Sequence, residues 1–197
     1  MTRRSPAHGY SLIELMAAMA IGVTVSAAAV PEYLNALDHQ RANGAVHHIA
    51  ARLARARMDA VTRSASVALL FAPAGASYSY AVYVDGNRNG VLARDIQRGI
   101  DRLIAPAERL SDQFSGVDFG ALPGLPPVDP GGTAPGSDPI RLGSANMASF
   151  SSSGTSSSGT VYIRSRRNAQ YAVRIFGETG KTRILKYDAR TRLWKQL

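Results

Sequence analysis

Three patterns of apolar and polar positions divide the chain. From Leu15 to Val30 no residue is charged. With Tyr10 to Ile13 added, this segment is about 20 residues, enough as a helix to cross a bilayer core of roughly 30 Å. From Glu32 to about Ser64 the apolar residues recur at threes and fours: Leu34, Leu37, Val46, Ile49, Leu53, Ala56 and Ala60. That spacing makes one stripe along a helix. Arg41, Arg52, Arg55, Arg57 and Arg63 lie mostly off it. The two segments predict one helix from Tyr10 to Ser64, about 80 Å long at roughly 1.5 Å per residue. Pro31 and Gly44 would kink or loosen it, and its upper half needs a sheet to cover the stripe.

After Ser64 the period falls to two. Val67 to Phe71 and Tyr78 to Val84 predict a hairpin turning at Pro73-Ala-Gly-Ala. Leu103-Ile104 and Val117 to Phe119 are candidate short strands. Leu122 to Pro139 is dense in Pro, Gly and Asp and predicts a surface loop, and Ser149 to Ser158 a Ser/Gly loop. Three well-formed strands follow, Thr160 to Arg164, Tyr171 to Phe176 and Thr182 to Tyr187, with a tight turn at Glu178-Thr-Gly180. The fold class is α+β: a long N-terminal helix, its first half membrane-spanning, packed on an antiparallel β-sheet. At 197 residues the chain suits one domain plus an anchor, with no internal repeat.

The apolar segment carries one carboxylate, Glu14, near its start. A carboxylate inside a membrane segment is costly, roughly 2.5 kcal/mol or more near the middle, so by default it has a job and a partner. Three readings compete. In a secretory signal peptide, Arg3 and Arg4 would be the basic region and Ala27-Ala28-Ala29 the cleavage site. Glu14 and the length of the apolar run argue against it. A plain membrane anchor explains the length but not Glu14, nor the abrupt junction at Gly9. The third is a short basic leader ending in glycine, then a hydrophobic residue, then a glutamate four positions on.

The octapeptide Gly9-Tyr10-Ser11-Leu12-Ile13-Glu14-Leu15-Met16 closely resembles the class III signal of type IV pilins and type II secretion pseudopilins. The resemblance implies that a prepilin peptidase cuts after Gly9 and that the new N-terminal residue, Tyr10, is N-methylated. Tyr10 stands where the family usually has Phe, and Pro31 falls where many pilins carry a helix-loosening proline. With the leader removed, Tyr10 would carry a free cationic amine. Glu14 lies one helical turn away on the same face. In a stack of staggered helices it can instead meet the amine of a neighbouring subunit. A paired buried charge is tolerable where an unpaired one is severe, so Glu14 becomes a register device for assembly. An exposed glutamate at the membrane surface is the simpler alternative.

The C-terminal part resembles the GspH/FimT group. Ser158-Gly-Thr-Val-Tyr-Ile163, Tyr171-Ala-Val-Arg-Ile175 and Thr179-Gly-Lys-Thr-Arg183 correspond to its closing strands and its Thr-Gly-Arg type turn, with Lys181 replacing the usual arginine. Together the two ends cover about half the chain. They imply a leader over residues 1–9, a transmembrane and assembly helix over 10–30, an extramembrane helix over 31–65, and a periplasmic β-rich domain over 66–197.

Composition and side-chain chemistry add bounds. There is no cysteine, so neither disulfides nor thiolate metal sites are available. His39, His47 and His48 sit on the predicted helix. Adjacent His47 and His48 cannot share a face, so solvated histidines are the better reading. Asp85-Gly-Asn-Arg-Asn-Gly90 matches the first half of a calcium loop, with Asp85, Asn87 and Asn89 as oxygen ligands. The twelfth position is Ile96, not Glu, and the favoured reading is a turn whose side chains bond their own backbone. No catalytic constellation, phosphate loop or cofactor motif is present, so the chain is expected to be no enzyme.

The formal charge is +9. From Val161 onward ten Lys or Arg face Glu178 and Asp188, a net of +8, which leaves +1 for everything before. Arg164, Arg166, Arg167, Lys181 and Arg183, with Trp194, form a candidate DNA-binding surface with aromatics interleaved. The alternative is a basic solvated face, or one matching an acidic partner subunit. The expectation is therefore a minor pilin or pseudopilin of a type II secretion system or type IV pilus, single-pass in the inner membrane. Its partners are the prepilin peptidase and other pilin subunits, with DNA binding as the alternative role.

Overall fold

The computed structural model describes residues 10–197. The chain separates into two compact units, residues 1–37 and 38–197. Helix α1 (Leu12–Arg63) runs through Pro31 and Gly44 without a break. In the first unit its apolar side chains are bare: Leu12, Ile13, Met16, Met19, Ile21 and Val23 are all well exposed. Contiguous exposed apolar surface of this kind marks a membrane or protein contact, and the helix is long and apolar enough to cross a membrane. Leu34, expected in the buried stripe, stays 41% exposed.

In the second unit the helix buries Ala42, Ala45, Val46, Ile49, Ala50, Leu53, Ala56 and Ala60. Five of these eight are alanine, which lets the sheets approach closely. Ile49 and Leu53 contribute the bulk, on the order of 1.5–3 kcal/mol each for full burial. Gly44, expected to loosen the helix, has a packing reason instead. A Cβ there would lie 2.9 Å from the Phe114 ring, so the glycine makes room for that ring against the helix.

Two antiparallel sheets cover this face, where the sequence predicted one. The first has strands β1 (Val67–Ala74), β2 (Ser77–Val84), β3 (Arg102–Arg109) and β6 (Met147–Phe150) in the order β3-β2-β1-β6. The second has β4 (Val117–Phe119), β7 (Gly159–Ser165), β8 (Gln170–Ile175), β9 (Thr182–Asp188) and β10 (Leu193–Gln196) in the order β10-β9-β8-β7-β4. A short β5 (Ile140–Arg141) also pairs with β7. Register sets the faces, because a one-residue slip would turn every side chain over. Leu69 opposes Val82 and Phe71 opposes Tyr80. Val161 opposes Val173, and Ile163 opposes Tyr171. All eight join one core with the helix stripe.

The reverse faces are also covered, by segments with few regular elements. Between β2 and β3, Val91 packs with Ala68 and Met147, and Ile96 of helix α2 (Ala93–Gln97) joins them. Between β4 and β5, Leu125 packs with Tyr162, Ala172 and Leu185, flanked by Leu122, Val128, Tyr187 and Trp194. The segment 122–139, expected as a surface loop, is thus a cover over the second sheet. The expected Ser/Gly loop at 149–158 also begins later, since Ser149 and Phe150 belong to β6. Sequence reading missed α2, α3 (Leu110–Gln113), β5, β6 and β10. Each is five residues or shorter, too short for periodicity to register.

Candidate functional site

Gly9, the expected cleavage position, lies outside the described residues. Tyr10 is the first described residue and is 89% exposed. Ser11 caps α1. Its hydroxyl oxygen accepts from the Glu14 backbone N–H at 3.2 Å, and the Glu14 carboxylate accepts from the Ser11 backbone N–H at 2.8 Å. This reciprocal pair is a capping box, which satisfies two of the donors a helix start leaves open. The Ser-x-x-Glu spacing was in the sequence, and its capping meaning was missed beside the charge argument. Within one chain, then, Glu14 Oε2 already has a partner, and a carboxylate has acceptor sites left for another subunit's amine. Further along, the Thr24 hydroxyl donates within its own helix to the Ile21 carbonyl at 2.8 Å. Its donor is thereby satisfied without water, as a bilayer core would require.

The basic residues divide into two groups. Arg166 and Arg167 lie in the hairpin between β7 and β8, and Lys181 in the one between β8 and β9. The six residues of β8 separate these hairpins, about 17 Å at roughly 3.4 Å per residue. Arg164, Arg166, Arg167, Lys181 and Arg183 are exposed. Arg183 sits over the Phe176 ring, 5.1 Å from its centroid, with Arg174 over the same ring at 5.5 Å. Arg174 is anchored by Asp129 at 2.6 Å.

The aromatic residues are engaged. Tyr162 and Tyr171 are each 2% exposed. Trp194 donates its indole N–H to the Pro126 carbonyl at 3.0 Å and packs on Tyr187 and Tyr162, at 5.3 and 5.9 Å between centroids. It clasps the 122–139 segment to the sheet, so its ring is half-buried between loop and strands. The structure brings the cations to the surface but buries Tyr162 and Tyr171 and leaves Trp194 and Tyr187 half-buried. Sequence alternation could not reveal this, because which residues cover a sheet face is a tertiary matter.

The Asp85 loop bonds its own backbone. Asp85 Oδ1 accepts from Asn87 and Arg88 N–H at 3.0 and 2.8 Å, and Oδ2 from Gly90 N–H at 2.7 Å. Asn87 and Asn89 turn their amides toward Asp95, and Asp101 accepts from Gly86 and Leu92 N–H. Among the described residues no group of three or more His, Asp or Glu is placed to hold a metal ion.

Two clasps between helix and sheets were not legible in the sequence. Arg52 pairs with Glu108 on β3, and the Tyr80 hydroxyl donates to the same carboxylate at 3.1 Å. His48 Nε2 lies 3.0 Å from the Tyr80 oxygen, so His48 is part of a half-buried network rather than a solvated histidine. Burial first, then the Arg52 charge, holds the His48 imidazole below its ordinary value. Burial first, then the Glu108 carboxylate, pushes the Tyr80 hydroxyl up. At Glu108 burial works against ionisation, but hydrogen bonds from Tyr80 and Arg52 outweigh it and the pKa falls. The second clasp is Arg57, whose Nε donates to the Gly154 carbonyl at 3.0 Å beside Gly180.

Residues 4–30 match the family model of the prokaryotic N-terminal methylation motif. No curated protein matches the chain, and no solved structure does. The match supports a type IV pilin-like subunit, processed by a prepilin peptidase and assembled with other pilins. Together with the apolar N-terminal helix it is consistent with inner-membrane anchoring.

Proposed function

We propose that the chain is a minor pilin or pseudopilin of the GspH/FimT type, a subunit of a type II secretion system or a type IV pilus. One observation carries the proposal. The methylation-motif match at residues 4–30 coincides with a capped, exposed apolar helix, uncharged from Leu15 to Val30, that leads into a domain with its own core. The leader 1–9 is removed after Gly9. Residues 10–30 hold the chain in the inner membrane, and residues 31–65 continue as helix into the periplasmic β-rich domain 66–197. Glu14 sets register in the fibre by pairing with the amine of a neighbouring Tyr10. The role is structural rather than enzymatic.

Mass spectrometry of the membrane fraction tests this. The parent chain should begin at an N-methylated Tyr10, and Gly9→Val should keep its leader. An N-terminus at Val30 instead would make the segment an ordinary signal peptide. Glu14→Ala should still insert and be cleaved but enter sheared fibres poorly, and normal incorporation would leave the carboxylate a cap and nothing more.

A second reading, DNA binding during uptake, draws on the exposed cations at Lys181 and Arg183. With Trp194, Tyr162 and Tyr171 engaged, it would rest on phosphate pairing rather than base stacking. Retardation of DNA should then weaken steeply with salt. Replacing Lys181 and Arg183 should lower the salt slope by about one unit for each phosphate that is no longer neutralised.

A further inference from the structure

The β7–β8 and β9–β10 hairpins converge on the start of the helical segment of the second unit. There they form a groove lined by His39, Arg167, Lys186, Arg190, Lys195 and Leu197. Four of these side chains are cationic. Asp188, the one carboxylate side chain lining it, is engaged: Lys195 Nζ donates to it at 2.5 Å and the Arg190 N–H at 2.9 Å. These bonds hold the Asp188 carboxyl down at about 2, so it stays ionised and offsets a single positive charge. Lys186 lies 6.0 Å from the Tyr171 ring centroid. Leu197, 56% exposed, gives the rim an apolar point.

The place of the groove follows from a tie within the same unit. The Ser165 hydroxyl donates to Asp38 and accepts from the Ala169 N–H at 2.9 Å, which joins the β7–β8 hairpin to the helix at its first residues in this unit. Asp38 is eight residues beyond Val30, the last of the uncharged run. Eight residues span about 12 Å as helix and at most about 28 Å extended. A chain anchored through Val30 therefore carries this cationic groove within reach of the headgroup layer.

We propose that this groove is a docking surface for the phosphates of anionic membrane lipids, and that it holds the globular unit against the inner membrane before the subunit enters a fibre. The inference rests on the membrane-anchored reading above. The tether makes the encounter intramolecular. Each basic side chain near an anionic surface strengthens it roughly fivefold. DNA phosphates share the chemistry, but two features favour lipid. The tether runs to a membrane, and the ring lining the groove, Tyr187, packs at a tilt against Trp194, 5.3 Å between centroids.

The test uses the full chain in nanodiscs of phosphatidylcholine alone, and in discs with a third of that lipid replaced by phosphatidylglycerol. Amide hydrogen exchange is followed over residues 166–169 and 186–197. Exchange there should slow at least tenfold in the anionic discs and recover in high salt. Arg167→Glu with Arg190→Glu should abolish the difference while exchange in the β8 core stays unchanged, which shows the variant folded. Equal exchange in the two kinds of disc would overturn the proposal. So would a DNA duplex that protects the same residues in neutral discs while anionic lipid does not. Failure of the chain to enter discs of either composition would overturn the anchoring itself, a result separable from the groove.

Discussion

Gly180→Ala is the sharpest stability test, because two separable costs meet at one atom. Gly180 has φ 61°, and a Cβ there would lie 2.4 Å from the Gly154 carbonyl oxygen and 2.8 Å from Arg57 Nε. The left-handed backbone alone costs a non-glycine residue about 1–2 kcal/mol. Moving Arg57 away breaks its bond to the Gly154 carbonyl. A hydrogen bond involving a charged group is worth about 1.5–3 kcal/mol, and Arg57 is only half-buried, so the lower figure applies. The sum is at least about 3 kcal/mol, since the Gly154 carbonyl, 2.4 Å from the new Cβ, must shift as well.

Gly75→Ala is the control, since Gly75 has φ 71° with nothing within 4 Å of its Cβ position. It should cost only the conformational part. The assay is urea unfolding of the full chain in fixed detergent, followed by the fluorescence of Trp194, the sole tryptophan. With a slope of about 2 kcal/mol per molar, the midpoint should fall by at least about 1.5 M for Gly180→Ala and about 0.7 M for Gly75→Ala. Arg57→Ala combined with Gly180→Ala should cost less than the two single changes added, by about the one hydrogen bond they share. Equal midpoints for the two glycine variants, or strict additivity with Arg57→Ala, would refute the clasp.

Two further outcomes follow from the half-buried groups. The His48 pKa is lowered in the folded chain from 6.5, by burial first and the Arg52 charge second. Between that lowered value and 6.5 the unfolded chain binds a proton that the folded chain resists. Stability should therefore fall as pH drops below about 6.5, and urea midpoints of His48→Gln should be flatter across that range. Trp194→Ala removes the indole bond to Pro126 and the packing on Tyr162. The change should destabilise by about 2 kcal/mol, less than full core truncation because the ring is only half-buried. It should also speed amide exchange across residues 120–129 before the β7–β8 core. Unchanged exchange there would show that the loop holds itself.

The uncharged N-terminal run was legible in the sequence because it depends on neighbours in the chain. The Ser-x-x-Glu start also acts within one helical turn, but there the carboxylate suggested a charge partner and hid the cap. Periodicity likewise marked α1 to within two residues at its start and one at its end, and the strands with clear alternation, β1, β2, β7, β8 and β9. The short elements escaped because a four-residue strand such as Met147–Phe150 owes its existence to β1 beside it.

What the tertiary structure alone decided is which faces are closed and which charges are engaged. The Pro/Gly segment 122–139 gives no periodic signal, yet Leu125 and the Pro126 carbonyl close it over Tyr162 and Trp194. Tyr162 is thereby buried and Trp194 half-buried, although alternation places both among cations. His48 lies next to His47 in sequence, but only the β2 and β3 strands packed on the helix bring Tyr80, and Glu108 beyond it, into its network. Local sequence determined the helix, its cap and its membrane character, since those bonds form between residues three or four apart. Burial and charge pairing were decided by residues tens of positions apart in the chain, which meet only once the sheets have closed on the helix.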